Sequence, residues 1–303
     1  MNRRNFSKKL AGATLGAAAL TLEPMASPAR AAADASPAEA PFKFSIMLWT
    51  ILRELRFEER LEKVAEAGYH AVELVGEYSK WTEDDFRRYN KKRAELGITF
   101  DTTAGLHHGV GDPSVREAFL ADVREQLKIM EKIECSALIV MSGDVVPGLS
   151  PQVQHKSCVE GLKRAAELVE GKGVTLLLEN IDLEENPHYY MWSVPEAFKI
   201  IEEVNHPQVK FLYDFFHAQI SGGNLITNLK GHADKVGLVH IADVPGRHEP
   251  GTGEINYLNI YKKLAELNYH HYVAMEFHPT GDPVKILAHA RQEALQAAQS
   301  YRS

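Results

Sequence analysis

The chain has 303 residues, 45% hydrophobic content and a formal net charge of −7 at pH 7. This length and composition favour one large α/β domain over several small ones, and no apolar run is long enough to cross a membrane as a helix. The acidic charge argues against nucleic acid as a partner, because proteins that bind it neutralise phosphates with Lys and Arg.

Residues 1–31 are typical of an export signal. Arg3 and Arg4 lie in a basic start, Ala-, Gly- and Leu-rich sequence follows, and small residues continue through SPARAAAD. This order matches a signal peptide, and the arginine pair resembles a twin-arginine signal; a basic tail with a chance pair is the alternative. We expect cleavage near Ala31 and a periplasmic protein without stable membrane association. Removing residues 1–31 takes away five basic residues and one acidic residue, which leaves a charge of −11.

Residues 32–41 are Ala- and Pro-rich without periodicity, which predicts a flexible linker. Strand and helix patterns then alternate eight times. The predicted strands are 42–49, 71–76, 98–106, 137–143, 175–180, 209–217, 236–243 and 271–277. The predicted helices are 57–67, 83–96, 114–133, 152–170, 195–204, 225–233, 258–267 and 283–299.

The predicted strands are short and nearly continuous in apolar residues, as expected of strands that are covered on both faces. Eight strands, eight helices and about 260 residues predict a (β/α)₈ TIM barrel over residues 42–303. A doubly wound open sheet is the alternative, but the first strand-to-helix turn lacks the Gly-rich phosphate-binding pattern of that fold. The spacing and number of the two cysteines, Cys135 and Cys158, do not indicate a metal site. We expect buried thiols, although an oxidising compartment would permit a disulfide.

Four of the predicted strands end in residues that commonly bind metals, namely Glu179, Asp214, His240 and Glu276. They lie about one β/α unit apart, so the barrel should bring them together at its C-terminal mouth. Taken singly, each carboxylate could be an ordinary surface group. Three clustered carboxylates repel one another, and a divalent cation would remove that repulsion. Oxygen ligands with one imidazole suit Mn²⁺ or Mg²⁺, and Co²⁺ or Zn²⁺ also fit.

Several motifs carry a family resemblance: LLLEN, DFFHAQI, HIADVPGRHEPGTGEINY and AMEF. From residue 44 to the end, the chain resembles the xylose isomerase-like superfamily of metal-dependent TIM barrels, and within it the hydroxypyruvate isomerase and ketose 3-epimerase branch. The resemblance implies a metal site, a substrate site and two residues that move protons. The implied metal ligands are Glu179, Asp214, His240 and Glu276, the implied proton carriers are Glu179 and Glu276, and the implied substrate-binding residues are Glu185, His217 and Arg247.

The chain departs from the hydroxypyruvate isomerase pattern at His240, where those enzymes usually have glutamine and the epimerases have histidine. The export signal is a second departure. The leading hypothesis is a metal-dependent isomerase that acts through an enediolate on a small hydroxy-keto acid or ketose. An epimerase or lyase with the same metal site is the nearest alternative. An apurinic endonuclease and an exported sugar-binding barrel are more distant ones, and homo-oligomerisation stays open.

Alternative interpretations exist for single residues. Arg247 could be a rim arginine that pairs with Glu249 or Glu254, and His217 could pack beneath the mouth. Trp49 could form an apolar wall for a sugar or belong to the core. His107 and His108, near the end of the third strand, are weaker candidates for the mouth.

Overall fold

A computed structural model describes residues 40–300 as a closed barrel of eight parallel strands. The strands pair in chain order, and the last pairs with the first. The strands are β1 Lys43–Met47, β2 Ala71–Val75, β3 Thr99–Ala104, β4 Ala137–Val140, β5 Thr175–Glu179, β6 Val209–Asp214, β7 Val236–Ile241 and β8 Tyr272–Met275. The predicted TIM barrel is therefore confirmed. The predicted signal and all but the last residues of the predicted linker lie outside the described residues.

Helices connect the strands and cover the outside of the barrel. They are α1 Phe57–Glu66, α2 Glu83–Glu95, α3 Arg116–Ile133, α4 Pro151–Val169, α5 Val194–Val204, α6 Phe215–Ser221, α7 Leu225–Leu229, α8 Tyr257–Glu266 and α9 Pro283–Gln299. No helix among residues 40–300 is both long and apolar enough to cross a membrane.

Two apolar clusters stabilise the barrel. The larger cluster lies between the strands and the helices, and the smaller one fills the barrel interior. The members of the interior cluster are Met47, Ile139, Leu177, Leu212, Leu238 and Ala274. Successive side chains of a strand point to opposite faces, so the residue two positions further along points the same way. For five of these six residues, that next position is Trp49, Glu179, Asp214, His240 or Glu276. The interior packing therefore sets the direction of the predicted metal ligands.

The prediction of a strand over 209–217 was wrong at its C-terminal end. Strand β6 ends at Asp214, and α6 begins at Phe215. The Asp214 carboxylate accepts a hydrogen bond from the backbone N–H of His217 at 3.1 Å and caps this helix. The apolar run that follows Asp214 has no helical periodicity long enough to be recognised, which explains the error. His217 therefore reaches the mouth from a helix.

Cys135 and Cys158 are free, buried thiols, as expected. Burial raises the pKa of each thiol to about 12, because the thiolate loses hydration there.

Asp243 organises the loop between β7 and α8. Its buried carboxylate accepts hydrogen bonds from the backbone N–H groups of Val244, Gly251, Gly253 and Ile255, at 2.9–3.0 Å. A side chain on Gly253 would overlap the Val244 carbonyl oxygen, so the loop depends on that glycine. This one carboxylate ties together a loop that contains a cis Val244–Pro245 bond and Arg247 in the left-handed region, with φ of 55°.

We predict that Asp243→Ala lowers the free energy of unfolding by about 3 kcal/mol, because four backbone donors lose a charged acceptor. Urea denaturation measures this change. Asp84→Ala is the control, since the Asp84 side chain is 86% exposed. Equal stability of Asp243→Ala and the parent chain would contradict the role of Asp243.

Candidate active site

The four predicted metal ligands meet at the C-terminal mouth of the barrel. Each offers one atom within 4.8 Å of the others, and all four residues are buried. Glu179 and Asp214 are the last residues of β5 and β6, His240 is the penultimate residue of β7, and Glu276 follows β8 directly. The spatial grouping is as the sequence predicted, while the roles of the residues stay predictions.

The Nδ1 atom of His240 faces the three carboxylates. It lies 2.7 Å from Glu276 Oε2, 3.5 Å from Glu179 Oε1 and 3.8 Å from Asp214 Oδ2. Among the described residues, His240 Nδ1, Asp214 Oδ2 and Glu276 Oε2 are buried and make no hydrogen bond. Buried polar atoms without partners are costly, and these three converge on one point beside Glu179. A divalent cation would satisfy all of them, so the donor set fits such an ion.

The protein alone shifts the proton affinities of these groups in different directions. Burial raises the pKa of Glu179. Burial also opposes ionisation of Glu276, but His240 and Arg247 outweigh it and lower the pKa of that carboxyl. Burial disfavours the imidazolium of His240, yet the surrounding carboxylates, Glu73 and Glu276 foremost, raise its pKa well above the usual value. The two glutamates are therefore not equivalent.

Glu276 is held by two donors on one oxygen. Trp49 Nε1 donates to Glu276 Oε1 at 2.8 Å, and Arg247 Nη2 donates to the same oxygen at 2.7 Å. Oε2 is left facing His240. Trp49 is thus neither a simple wall nor an ordinary core residue, because its indole N–H fixes a site carboxylate. By contrast, within residues 40–300 the carboxylate of Glu179 has only His240 as an ion-pair partner.

Arg247 connects two loops across the mouth. It is 7% exposed, and its Nη1 donates to Glu185 Oε2 at 2.7 Å while Nη2 contacts Glu276. Its guanidinium also lies over the rings of Trp49 and Phe216, at 5.4 and 4.9 Å from their centroids.

The alternative that pairs Arg247 with Glu249 or Glu254 was wrong. The carboxylate of Glu249 accepts hydrogen bonds from Thr280, and that of Glu254 accepts one from Gln219.

His217 lies beside the four predicted metal ligands and is 3% exposed. Its Nδ1 makes a short hydrogen bond with Asp182, and its Nε2 lies 3.6 Å from Asp214 Oδ2. Burial lowers the pKa of His217, but Asp214 and Asp182 outweigh it and raise that pKa to about 9. His217 therefore presents a positive charge near the mouth. Asp182, Glu185 and His217 form a second group of donors, but Arg247 already neutralises Glu185 there.

Three buried carboxylates in or beneath the mouth, Asp182, Glu73 and Asp101, were not predicted from the sequence. Glu73 and Asp101 lie inside the barrel on β2 and β3, and both are nearly or fully buried. Glu73 Oε2 lies 3.1 Å from His240 Nε2. Asp101 accepts a hydrogen bond from Ser45 Oγ at 2.5 Å. For Glu73 the available signal was a lone acidic residue within an apolar strand, AVELV. Asp101 lies in the Thr-rich strand TFDTTA and Asp182 lies after β5, so neither carried that signal.

His107 and His108 do not belong to the cluster formed by Glu179, Asp214, His240 and Glu276. Asp122 accepts hydrogen bonds from the backbone N–H groups of both, and it lies 2.9 Å from His108 Nδ1.

Known proteins resemble the chain in sequence along nearly its whole barrel. A family model described as xylose isomerase-like TIM barrel matches residues 61–302. The 2-oxo-tetronate isomerase of Haemophilus influenzae is 31% identical over 247 residues, which cover 80% of this chain and 95% of that protein. The hydroxypyruvate isomerase of Escherichia coli K12 is 29% identical over 241 residues, which cover 78% of this chain and 93% of that protein.

Solved structures share the fold. A structure titled AP endonuclease, family 2, from Brucella melitensis has a TM-score of 0.74 and 28% identity, and the match covers 81% of this chain and 96% of that one. D-psicose 3-epimerase of Clostridium cellulolyticum H10, solved with D-tagatose, has a TM-score of 0.68 and 20% identity, with 86% and 98% of the two chains covered. The second likeness concerns the fold alone.

We predict that Trp49→Phe lowers the free energy of unfolding by about 1.5–3 kcal/mol, because a buried carboxylate loses one of its two donors. Trp192→Phe is the matched control, since Trp192 is 41% exposed. Urea denaturation of both variants measures the difference. Losses of the same size would show that the indole N–H of Trp49 contributes nothing specific.

The buried carboxyl of Asp101 should make the stability of the chain depend on pH. Burial and the neighbouring Glu73 raise its pKa from 3.8 to about 8, so the folded chain retains a proton that the unfolded chain releases. The stability gained from that proton is complete below pH 3.8 and is lost as the pH rises through about 8.

We expect stability to fall more steeply over this range in the parent than in Asp101→Asn, by up to about 1.4 kcal/mol per pH unit. Urea denaturation at several pH values measures both slopes. Equal slopes would contradict a raised pKa at Asp101.

Proposed function

Because the chain belongs to the xylose isomerase-like TIM-barrel family, we propose that it is a divalent-metal-dependent isomerase. It would interconvert a small hydroxy-keto acid or ketose and its aldehyde isomer. One observation carries the proposal: three buried ligand atoms without hydrogen bonds converge beside a fourth donor at the mouth of the barrel. The isomerase names of the relatives support the reaction class.

The residues that would hold the metal are Glu179, Asp214, His240 and Glu276. Three carboxylates and one imidazole favour Mn²⁺ or Mg²⁺, and Co²⁺ or Zn²⁺ would also fit. When bound, the cation supplies positive charge that acidifies the proton next to the substrate carbonyl and stabilises the enediolate left behind.

Glu179 and Glu276 would have different roles in the reaction. Glu179 is the better general base, because its pKa is raised and no strong donor occupies its carboxylate. Glu276 has a lowered pKa and two donors on Oε1, from Trp49 and Arg247. We therefore assign the removal and return of the proton to Glu179, and a ligand role to Glu276, which the sequence had also predicted to move a proton.

This division favours isomerisation over epimerisation. A single base can take a proton from one carbon and return it to the adjacent carbon on the same side, which interconverts a ketose and an aldose. Epimerisation needs a second group that delivers a proton to the opposite side of the same carbon, and the lowered pKa of Glu276 makes it a poor proton donor for that step. An epimerase or lyase remains the second candidate, and the histidine at position 240 is the observation that favours it.

Substrate oxygens would be held by Glu185, His217 and Arg247. His217 carries a raised pKa, and Arg247 has a guanidinium beside Glu276. Two cationic groups at the mouth suit a keto acid carboxylate or a sugar hydroxyl.

The remaining alternatives have weaker support. Without residues 1–31 the chain has a net charge of −11, which disfavours a DNA-binding endonuclease, since phosphate contacts need a basic surface. A barrel that only binds sugars would not require four converging ligand atoms. We also propose export to the periplasm, supported by the sequence of residues 1–31 alone.

The test is deuterium exchange from D₂O. We predict that the chain, loaded with Mn²⁺ and then transferred to a diamagnetic Mg²⁺ buffer for proton NMR, exchanges the proton next to the carbonyl of hydroxypyruvate or a ketose. Treatment with EDTA should stop the exchange. Glu179→Gln should lower the rate by about 10²–10⁴-fold, since a positioned general base contributes that much.

Glu131→Gln on α3 is the control, because Glu131 is exposed and remote from the mouth. Exchange by the parent that survives EDTA would refute metal dependence. Near-normal exchange by Glu179→Gln would remove Glu179 from the proton transfer.

A further inference from the structure

Glu73 is a carboxylate buried in the largely apolar interior of the barrel. It lies in the middle of β2, is 0% exposed, and pairs in register with Met47 of the barrel interior. Its Oε1 has no hydrogen-bond partner among the described residues. Burying a carboxylate costs several kcal/mol unless it is paired, and the comparable interior positions of β5, β6 and β7 carry leucine. Packing alone would favour an apolar residue here.

The contact that Glu73 makes is with His240. Glu73 Oε2 lies 3.1 Å from His240 Nε2, while His240 Nδ1 faces Glu179, Asp214 and Glu276. The imidazole is therefore placed between one carboxylate on the barrel side and three at the mouth. Glu73 can accept a hydrogen bond from Nε2–H, and that bond leaves Nδ1 facing the mouth, where it can bind a cation once it carries no proton.

We propose that Glu73 is a positioning residue for the cation site. Its carboxylate keeps the proton of the imidazole on Nε2 and fixes the plane of the ring, so that Nδ1 is ready to bind a cation. Hydrogen-bonded carboxylates behind a ligating histidine raise the basicity of the ligand and set its tautomer. The inference rests on the proposed function, because it assumes a cation at Nδ1.

Substitution of Glu73 should therefore affect cation affinity and folding stability differently. A purely structural Glu73 would, on substitution, change both properties or only stability. A positioning Glu73 predicts that Glu73→Leu folds with equal or higher stability and binds cations more weakly. A carboxylate with one unpaired oxygen leaves the interior, while Glu179, Asp214 and Glu276 still surround His240.

The experiment titrates Mn²⁺ into the parent, Glu73→Leu and Glu73→Gln, and follows free Mn²⁺ by electron paramagnetic resonance. We expect the Kd to rise about 10–100-fold in Glu73→Leu, the range typical for loss of such a partner. Glu73→Gln should give a smaller rise, because its amide oxygen can still accept from Nε2–H. Urea denaturation of the same samples provides the stability comparison.

Asp101→Asn is the matched control. Asp101 is a second buried carboxylate of the barrel interior, but Ser45 and Thr102 are its hydrogen-bond partners, not His240. We expect its Kd for Mn²⁺ to stay within twofold of the parent value. A second readout is ¹⁵N NMR of the Zn²⁺-loaded chain. In the parent, the Nε2–H proton of His240 should be visible and protected from exchange with solvent. In Glu73→Leu, this proton should lose its protection from exchange.

The outcomes are distinct. If the parent binds Mn²⁺ and Glu73→Leu and Glu73→Gln bind it equally well, the inference is overturned and the proposed function stands. If the parent binds neither Mn²⁺ nor Zn²⁺, both are overturned. If Glu73→Leu does not fold, the Kd of Glu73→Gln decides, and an unchanged value counts against the inference.

Discussion

Three carboxylates and one imidazole share a space in which their ligand atoms lie within 4.8 Å of one another, and this crowding is the constraint on which the rest of the site depends. Like charges at such distances raise the free energy of the folded chain unless an opposite charge lies among them. The chain supplies part of that charge through His240 and Arg247. The unpaired atoms that remain are the reason to expect a cation.

The closed barrel brings these residues together although no local sequence motif indicates that they are neighbours. Parallel strands in a closed barrel all end at one mouth, and side chains two positions beyond the interior layer point inward there. A carboxylate at the end of β5 thus meets one at the end of β8, although Glu179 and Glu276 are far apart in the chain. The loop folded by Asp243 then carries Arg247 across the mouth to Glu276. The packing of the interior side chains thus determines the direction of the side chains at the site.

The four predicted metal ligands have different hydrogen-bond partners, and the site is therefore asymmetric. Glu276 has two donors on one oxygen, His240 has Glu73 behind it, and Asp214 both caps α6 and faces the cluster. Glu179 lacks comparable support, which agrees with the proton transfer that we propose for it. In the proposed function, Asp214, His240 and Glu276 would hold the cation firmly, and the less constrained Glu179 would exchange a proton with the substrate as well as bind the cation.

Much of this could be predicted from the sequence. The apolar strands, the helix periodicity and the near-regular spacing of Glu179, Asp214, His240 and Glu276 are local or repeating patterns, and they were sufficient for the fold and the grouping. The supporting contacts could not be predicted. Trp49 and Glu276 are 227 positions apart, and Glu73 and His240 are 167 apart. Such pairings depend on the register and tilt of the closed barrel, and neither partner carries a motif. His217 was predicted on a strand because the seven residues of α6 are too few to show a helical period.

The central claim is that a divalent cation binds among Glu179, Asp214, His240 and Glu276. Anomalous diffraction from crystals of the chain grown with Mn²⁺ tests it most directly. The account predicts one strong peak within about 2.0–2.6 Å of His240 Nδ1 and of oxygens from the three carboxylates, distances typical of such ligands. The absence of a peak there, or a peak confined to Asp182, Glu185 and His217, would contradict it.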